Sequence, residues 1–200
     1  MEKRALFHDG DQVVLLASSG DLIAAIAMAP RFDANSVPVV DERGHGALYV
    51  AGGFDDVIHT TKVNQTERVW FDGEALHLAT EDGLPSALLS TSWNGEAFAL
   101  SGTAFWSLGP DGTKGQVFSN PALAAAGISP AAFARLPEGG FAVVGAAGDV
   151  LRVVLPSSVQ DVVVAPARAG GRLVSGLGGA LYFAGAANGI GVFVVAAASD

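Results

Sequence analysis

Two short runs of acidic and imidazole side chains are the part of this chain best equipped for chemistry. Gly52-Gly53-Phe54-Asp55-Asp56 is followed closely by His59 and Lys62. Glycine lets a backbone approach a ligand closely. Two adjacent carboxylates with a nearby imidazole are groups that grip a cation or the hydroxyls of a sugar. The second run, Asp41-Glu42-Arg43-Gly44-His45, is the densest polar cluster of the sequence. It reads as a charged turn that can also meet a ligand or partner. Asp55, Asp56, His59, Asp41, Glu42 and His45 are therefore the candidate ligand-binding residues. A third run, His8-Asp9-Gly10-Asp11, offers an oxygen-rich turn of the kind that can hold Ca²⁺. It lacks the twelve-residue spacing of a full calcium loop. Each of these runs is also what a solvated hairpin turn looks like. No other cofactor is expected.

Other chemistries are excluded or left unselected. With no cysteine, the chain has no disulfides, thiolate metal sites or thiol nucleophile. No GxSxG, HExxH or phosphate-binding loop occurs. Paired carboxylates of the glycosidase type would have to come from distant segments, and nothing in the sequence selects such a pair. His77, inside Ala75-Leu76-His77-Leu78-Ala79, reads as a structural histidine. Trp70, Trp93 and Trp106 are candidate sugar-stacking platforms, though packing is the commoner use of such rings.

What must position these residues is a repeat. Gly46–Gly53 (GALYVAGG) returns as Gly179–Ala186 (GALYFAGA), matching at six of eight positions. Two looser relatives, Gly95–Gly102 (GEAFALSG) and Gly139–Ala146 (GGFAVVGA), lie between them. The starts are 49, 44 and 40 residues apart, the period of a stacked-repeat architecture. Short apolar runs stop at Gly, Asp, Asn or Pro, the signature of strands and tight turns. Expected strands include Gln12–Ala17, Leu22–Met28, Ala47–Ala51 and Val57–Val63. Ser19-Gly20-Asp21, Glu81-Asp82-Gly83, Asn94-Gly95, Asp111-Gly112 and Ala147-Gly148-Asp149 read as hairpin turns. Pro121–Gly127, with Asn120 as N-cap, and Pro130–Ala134 read as short helical turns. Phe71–Gly112 reads as one complete four-stranded unit. The expectation is an all-β fold: a β-propeller-like array of about four to five four-stranded antiparallel blades, possible also as part of a larger propeller, in a single domain over residues 1–200.

The segment from Trp93-Asn94-Gly95 to Ser107…Asp111-Gly112 resembles bacterial β-propeller repeats of the form W-(N/D)-G-x-x-F-x-A-V-G…S-x-D-G, and Leu136–Arg152 is similar to the same pattern. Leu48–Trp70, with its double glycine and later tryptophan, resembles a kelch repeat. Ser107…Asp111-Gly112 resembles a degenerate Asp-box turn. The resemblance implies a fold that serves lectins, scaffolds, hydrolases and lyases alike.

Charge and hydropathy narrow the partners. The formal net charge is −9, and all of it falls in the first hundred residues. An acidic surface without a Lys/Arg cluster repels phosphate backbones, so no nucleic-acid partner is expected. Leu173–Ala198 is free of charge and long enough to span a bilayer. Its glycines, Asn188 and its kinship to the Gly46 repeat argue against a membrane role. No secretory signal is expected in the first residues given, because His8-Asp9-Gly10-Asp11 interrupts any apolar core. The chain reads as cytoplasmic if complete and as exported if a signal precedes it. The function expected is non-catalytic binding of a partner protein or carbohydrate through loops on one face. Propeller-type glycoside hydrolysis or lysis is the alternative. A structural piece that completes a ring with another chain, or a homo-oligomer paired through edge strands, is the third reading.

Overall fold

A computed structural model describes residues 4–85, 87–125, 129–145, 150–163, 172–176, 180–185 and 189–194. The described residues form five small sheets. The first is β1 (Arg4–Asp9), β2 (Gln12–Ala17) and β3 (Leu22–Ala27), and the second is β4 (Asn35–Val40), β5 (Gly46–Ala51), β6 (Thr66–Phe71) and β7 (Leu76–Thr80). The third is β8 (Leu88–Thr91), β9 (Ala97–Ser101), β10 (Ala104–Leu108) and β11 (Lys114–Ser119). The fourth is β12 (Pro130–Arg135), β13 (Phe141–Gly145), β14 (Val150–Val154) and β15 (Val159–Val163), and the fifth is β16 (Arg172–Ser175), β17 (Ala180–Gly185) and β18 (Gly189–Val194). In every sheet the strands lie in sequence order, the up-and-down meander of a propeller blade. A short helix, α1 (Ala122–Ala125), follows β11.

The repeated octapeptide is the second strand of its sheet in β5, β9, β13 and β17. β5, β9 and β13 are buried along nearly their whole length, so both faces must be apolar or small. That is why this strand, and not its neighbours, keeps its sequence. Within the first two sheets β1 packs on β5 and β3 on β7.

Three expectations are corrected. The four-stranded unit runs from Leu88 to Ser119, not from Phe71 to Gly112, because Leu76–Thr80 pairs back onto β6. Pro130–Ala134 is strand β12, since Pro130 sits on an edge strand where a missing N–H is harmless. Val57–Val63 is loop, and the third strand of the second sheet is Thr66–Phe71. The turns at Gly20, Gly83, Gly95 and Gly112 form with positive φ as expected. Asn120 does cap α1, its Oδ1 accepting the Ala122 N–H at 2.9 Å. The turn at 147–149 lies outside the described residues.

By packing, the chain divides into two compact units. Unit 1 comprises Met1–Leu89 and Leu108–Lys114, and unit 2 Ser90–Ser107 and Gly115–Asp200. The core of unit 1 joins Val13, Met28, Leu48, Val50 and Val69 between its first two sheets. Unit 2 holds an aromatic cluster in which Phe105 stacks on Phe141 at 4.2 Å, with Phe98, Phe118 and Phe133 around them. A second apolar cluster packs Leu136, Val144 and Leu151 with Leu173 and Leu181.

Candidate functional site

In an antiparallel meander, alternate loops emerge at opposite ends of the sheet. The turn after β4 and the loop after β5 are therefore at opposite ends of β5. The two candidate runs, Asp41–His45 and Asp55–His59, are not brought together.

At the first end, Asp41 is consumed by its own turn. Its Oδ1 accepts the backbone N–H groups of Arg43 and His45 at 2.9 and 2.8 Å, and its Oδ2 meets His45 Nδ1 at 2.9 Å. These bonds, opposed by partial desolvation, hold the Asp41 carboxyl below its ordinary value. Glu42 is exposed. The neighbouring hairpin repeats the device: Asp72 caps Glu74 and Ala75 and meets His77 Nε2 at 2.6 Å. The N–H bonds from Ala75 and Glu74 depress the Asp72 carboxyl strongly. His77 also stacks on Trp70, and Arg68 lies over the same indole at 4.1 Å. Trp70 is thus held between two cationic or polar side chains.

The other end is built more elaborately. After β5 the chain makes a loop over residues 52–65. Its two arms bond to each other, with the Asp55 N–H donating to Thr61 O at 3.0 Å and Val63 N–H to Gly53 O at 2.9 Å. Phe32, from the loop after β3, exchanges two backbone bonds with Phe54 at 2.8 and 2.9 Å. Gly53 (φ +85°) permits this approach, because a Cβ there would meet Phe32 O at 2.8 Å. The close approach expected of the double glycine is therefore made to protein backbone.

The tip is closed by Asp56, whose carboxylate accepts from the Thr60 N–H at 3.0 Å and from the Thr60 hydroxyl. The Thr60 hydroxyl and N–H lower the Asp56 pKa. His59 adopts φ +59°, stacks on Phe54 at 4.5 Å and places Nε2 3.2 Å from Asp33 Oδ2. Asp33 itself has φ +56°. Among the described residues these are the two non-glycine positions with positive φ, and they are ion-pair partners. Asp and His tolerate that region better than most side chains. With the neighbours so tied, Val57 and Ile58 are left at the tip, 70% and 76% exposed. Asp55 is exposed beside them.

Beneath the loop lies a charged platform that the sequence reading missed. Arg31 is fully buried. Its Nη1 donates to Gln65 O at 2.7 Å and to Gly52 O at 3.4 Å, the carbonyls of both stem residues of the loop. Its backbone N–H donates to Gly10 O at 3.0 Å, tying in the β1–β2 turn. Nη2 pairs with Glu67 Oε2 at 3.0 Å, in ion-pair rather than hydrogen-bond geometry, and Nε has no partner. Burial lowers the Arg31 pKa and Glu67 opposes it. His8 Nε2 is buried nearby without a hydrogen bond, and burial first, then Arg31, push its pKa below 6.5. On the opposite face of β6, Arg68 Nε donates to Glu81 Oε1 at 2.7 Å, and Glu81 Oε2 accepts from Lys114 Nζ at 2.7 Å. Tyr49 donates to Gly109 O at 2.7 Å, and burial, then Glu81, raise its pKa.

The signal for this platform was Glu67-Arg68 at the head of an apolar strand. Alternation sends one to each face, so both need buried partners. Among the described residues, no group of three or more His, Asp or Glu is placed to hold a metal ion. No helix there is long and apolar enough to cross a membrane.

No protein-family model matches the sequence, and no curated protein matches it. Solved structures do. The chain is similar to virginiamycin B lyase from Staphylococcus aureus, with a TM-score of 0.55 and 12% identity over 96% of this chain and 65% of that one. It is similar to a streptogramin B lyase, with a TM-score of 0.53 and 10% identity over 94% of this chain and 63% of that one. YjhT follows at a TM-score of 0.51 and 16% identity, covering 92% and 71%. The chain spans less than two thirds of the length of either lyase. At such identities the likeness shows the β-propeller fold alone. The kelch-like part of the sequence resemblance is left without support.

Proposed function

We propose that the chain is a binding scaffold that recognises a partner protein through the loop over residues 52–65. The observation that carries this reading is the construction of that loop. Its stem is fixed by a buried guanidinium, its arms by backbone bonds and its tip by the Asp56–Thr60 closure. All this rigid framework presents two aliphatic side chains, Val57 and Ile58, to solvent. A fixed loop loses little entropy on binding. Desolvated aliphatic anchors ringed by polar groups (here Asp55, His59 and Asp33) are the pattern of a protein interface. For a carbohydrate, Trp70 is already covered by Arg68 and His77, which leaves Trp93, 53% exposed, as the open indole.

The lyase names belong to the structural neighbours, and the catalytic alternative draws on fold likeness alone. The test is a comparison of wild type with Ile58→Asp. Proteins retained by the first and not the second are identified, then titrated by calorimetry. A loss of at least about tenfold in Kd supports the loop. Equal affinity for every retained protein removes it.

A further inference from the structure

The facing sides of the first two sheets end in a polar row beneath the 52–65 loop. Strand alternation puts Arg4, Leu6 and His8 on one face of β1, and Glu67, Val69 and Phe71 on one face of β6. Arg4 lies over the Phe71 ring at 5.2 Å, and Leu6 and Val69 belong to the core of unit 1. His8 and Glu67 are the next step along both strands. Arg31 enters between them from the loop after β3. The neighbours in the same rows are apolar: Val13 pairs with His8, and Val50 with Glu67. The 52–65 loop offers the row only the carbonyls of Gly52 and Gln65. The charged groups acting on His8 are Arg31, Glu67 and, on its own strand, the exposed Asp9.

This row is short of partners. Arg31 is fully buried, yet its Nε makes no hydrogen bond, and its Nη2 stands 3.0 Å from Glu67 Oε2 without hydrogen-bond geometry. His8 Nε2 is buried and bonded to nothing. One carboxylate balances one guanidinium, so a neutral His8 leaves the row without net charge. A proton on His8 makes two cations share Glu67, and a buried cation without its own partner is costly. The row escapes that cost in two ways. Either His8 takes Glu67 and Arg31 withdraws, or the cover of the row opens to water. Both break the bonds from Arg31 Nη1 to Gln65 O at 2.7 Å and Gly52 O at 3.4 Å, which fix the stem of the loop.

We infer that His8 is a proton switch for the 52–65 loop: its neutral form keeps Arg31 on the loop stem, and its protonation releases Arg31 and the stem together. Burial first, then Arg31, hold the His8 pKa below 6.5, so the loop is fixed at pH 7 and the switch falls on the acid side. The arms carry the release outward, because Val63 and Asp55 tie them through bonds to Gly53 O and Thr61 O. That acid then weakens a partner's hold on Val57 and Ile58 rests on the binding role given to this loop above. The release of the stem does not.

The test uses the full ¹⁵N-labelled chain with no partner present. Exchange of the Gly52, Asp55 and Val63 amides is followed by NMR from pH 5 to 8, each rate divided by that of an unstructured chain at the same pH. The His8 ring is titrated alongside. Protection of these amides should fall by about tenfold or more on acidification, with the midpoint of the His8 ring, while Ala99 and Val143 in unit 2 keep theirs. His8→Gln should protect the stem at every pH. His59→Asn removes the imidazole of the loop itself, keeps a residue that tolerates φ +59°, and should leave the response in place. Unchanged stem protection overturns the switch, since His8 then takes its proton by turning to water. A response that survives His8→Gln, vanishes in His59→Asn or spreads equally to unit 2 overturns it as well. If His8→Gln does not fold, the wild-type midpoints decide: a stem midpoint apart from that of the His8 ring overturns the switch. None of these rates depends on what Ile58→Asp does to binding, so the two readings fail separately.

Discussion

The two units bury opposite kinds of side chain. Unit 1 hides Arg31, Glu67, Arg68 and Glu81 beside its aliphatic core. Unit 2, among its described residues, buries no charged side chain, and its polar groups are Ser90, Ser92, Asn120 and Ser175. Near its core Arg135 lies over the rings of Phe98 and Phe141, and the half-buried Arg152 pairs with Asp161 at 2.8 Å. An ion pair brought out of water recovers its desolvation cost only with good geometry, and an aromatic cluster carries no such cost. Ionic burial in unit 1 coincides with loop stems: Arg31 holds residues 52 and 65, Arg68 holds Pro110, and Lys114 holds Asp82. The comparison teaches that charge is buried where loops must be fixed, and apolar rings where strands need only be packed.

Single deletions give the largest effects, and double deletions separate the two regions. Glu67→Ala leaves Arg31 buried and unpaired and should cost about 3–5 kcal/mol in chemical denaturation. Replacing both, Arg31→Met with Glu67→Met, should cost far less than Glu67→Ala alone. In unit 2, Phe141→Ala should cost about 3–5 kcal/mol by opening a cavity among four other rings. Adding Phe105→Ala should add to that loss. If the double change in unit 1 costs as much as the single one, charge burial there is not compensated pairing, and the contrast fails.

At the next level the regions should behave alike, because both use one polar side chain to hold backbone carbonyls. Asn120 Nδ2 donates to Leu155 O at 2.7 Å and to Ser158 O at 3.1 Å while Oδ1 caps α1. Asn120→Ala should cost about 1–2 kcal/mol. Tyr49→Phe removes one bond to Gly109 O and should cost about 1 kcal/mol. A Tyr49→Phe loss exceeding that of Asn120→Ala would mean that the Leu108–Lys114 turn is held chiefly by the phenol and not by Arg68 and Lys114.

These contrasts also explain what the sequence could show. Blade count and strand order follow from apolar runs and glycine turns, which are local. The phase of the blades is not local. Leu76–Thr80 reads equally well as the last strand of one sheet or the first of the next, and its pairing with Thr66–Phe71 decides. That strand was hidden because Glu67 and Arg68 break the apolar pattern at its head. The same two residues anchor the platform, so missing the strand meant missing the site's foundation. Asp41, Asp56 and His59, singled out as ligand-binding candidates, lie in a turn and a loop, His59 inside the run read as the strand Val57–Val63. Whether a turn carboxylate is free or spent on its own N–H groups depends on dihedral angles that spacing does not encode.

Among the described residues, the groups with shifted pKa values lie in unit 1. His8 has its folded pKa pushed below 6.5 by burial and by Arg31, with Gly10 O, Asp9 and Glu67 opposing. The unfolded chain therefore binds the proton more readily. The stability held by neutral His8 is complete above pH 6.5 and is lost as pH falls from there towards the folded pKa. Denaturation midpoints measured from pH 5 to 8 should drop on the acid side in wild type and less in His8→Gln. An unchanged slope would show that His8 Nε2 is hydrated in solution. The depressed carboxyls of Asp41, Asp56, Asp72 and Asp111 act elsewhere on the scale, their contribution disappearing as pH falls below about 3.8.

The smallest effect is expected at the loop tip, and it is the most discriminating. Val57 and Ile58 are exposed, so Ile58→Ser should change stability by under about 0.5 kcal/mol. Hydrogen exchange at the stem should not respond either, since Gly52 and Gln65 are held from below by Arg31. Arg31→Met with Glu67→Met should do the reverse, releasing the stem amides while leaving the tip composition intact. If the tip change speeds exchange at the stem, Val57 and Ile58 hold the loop together, and their exposure is no longer evidence of a surface kept for a partner.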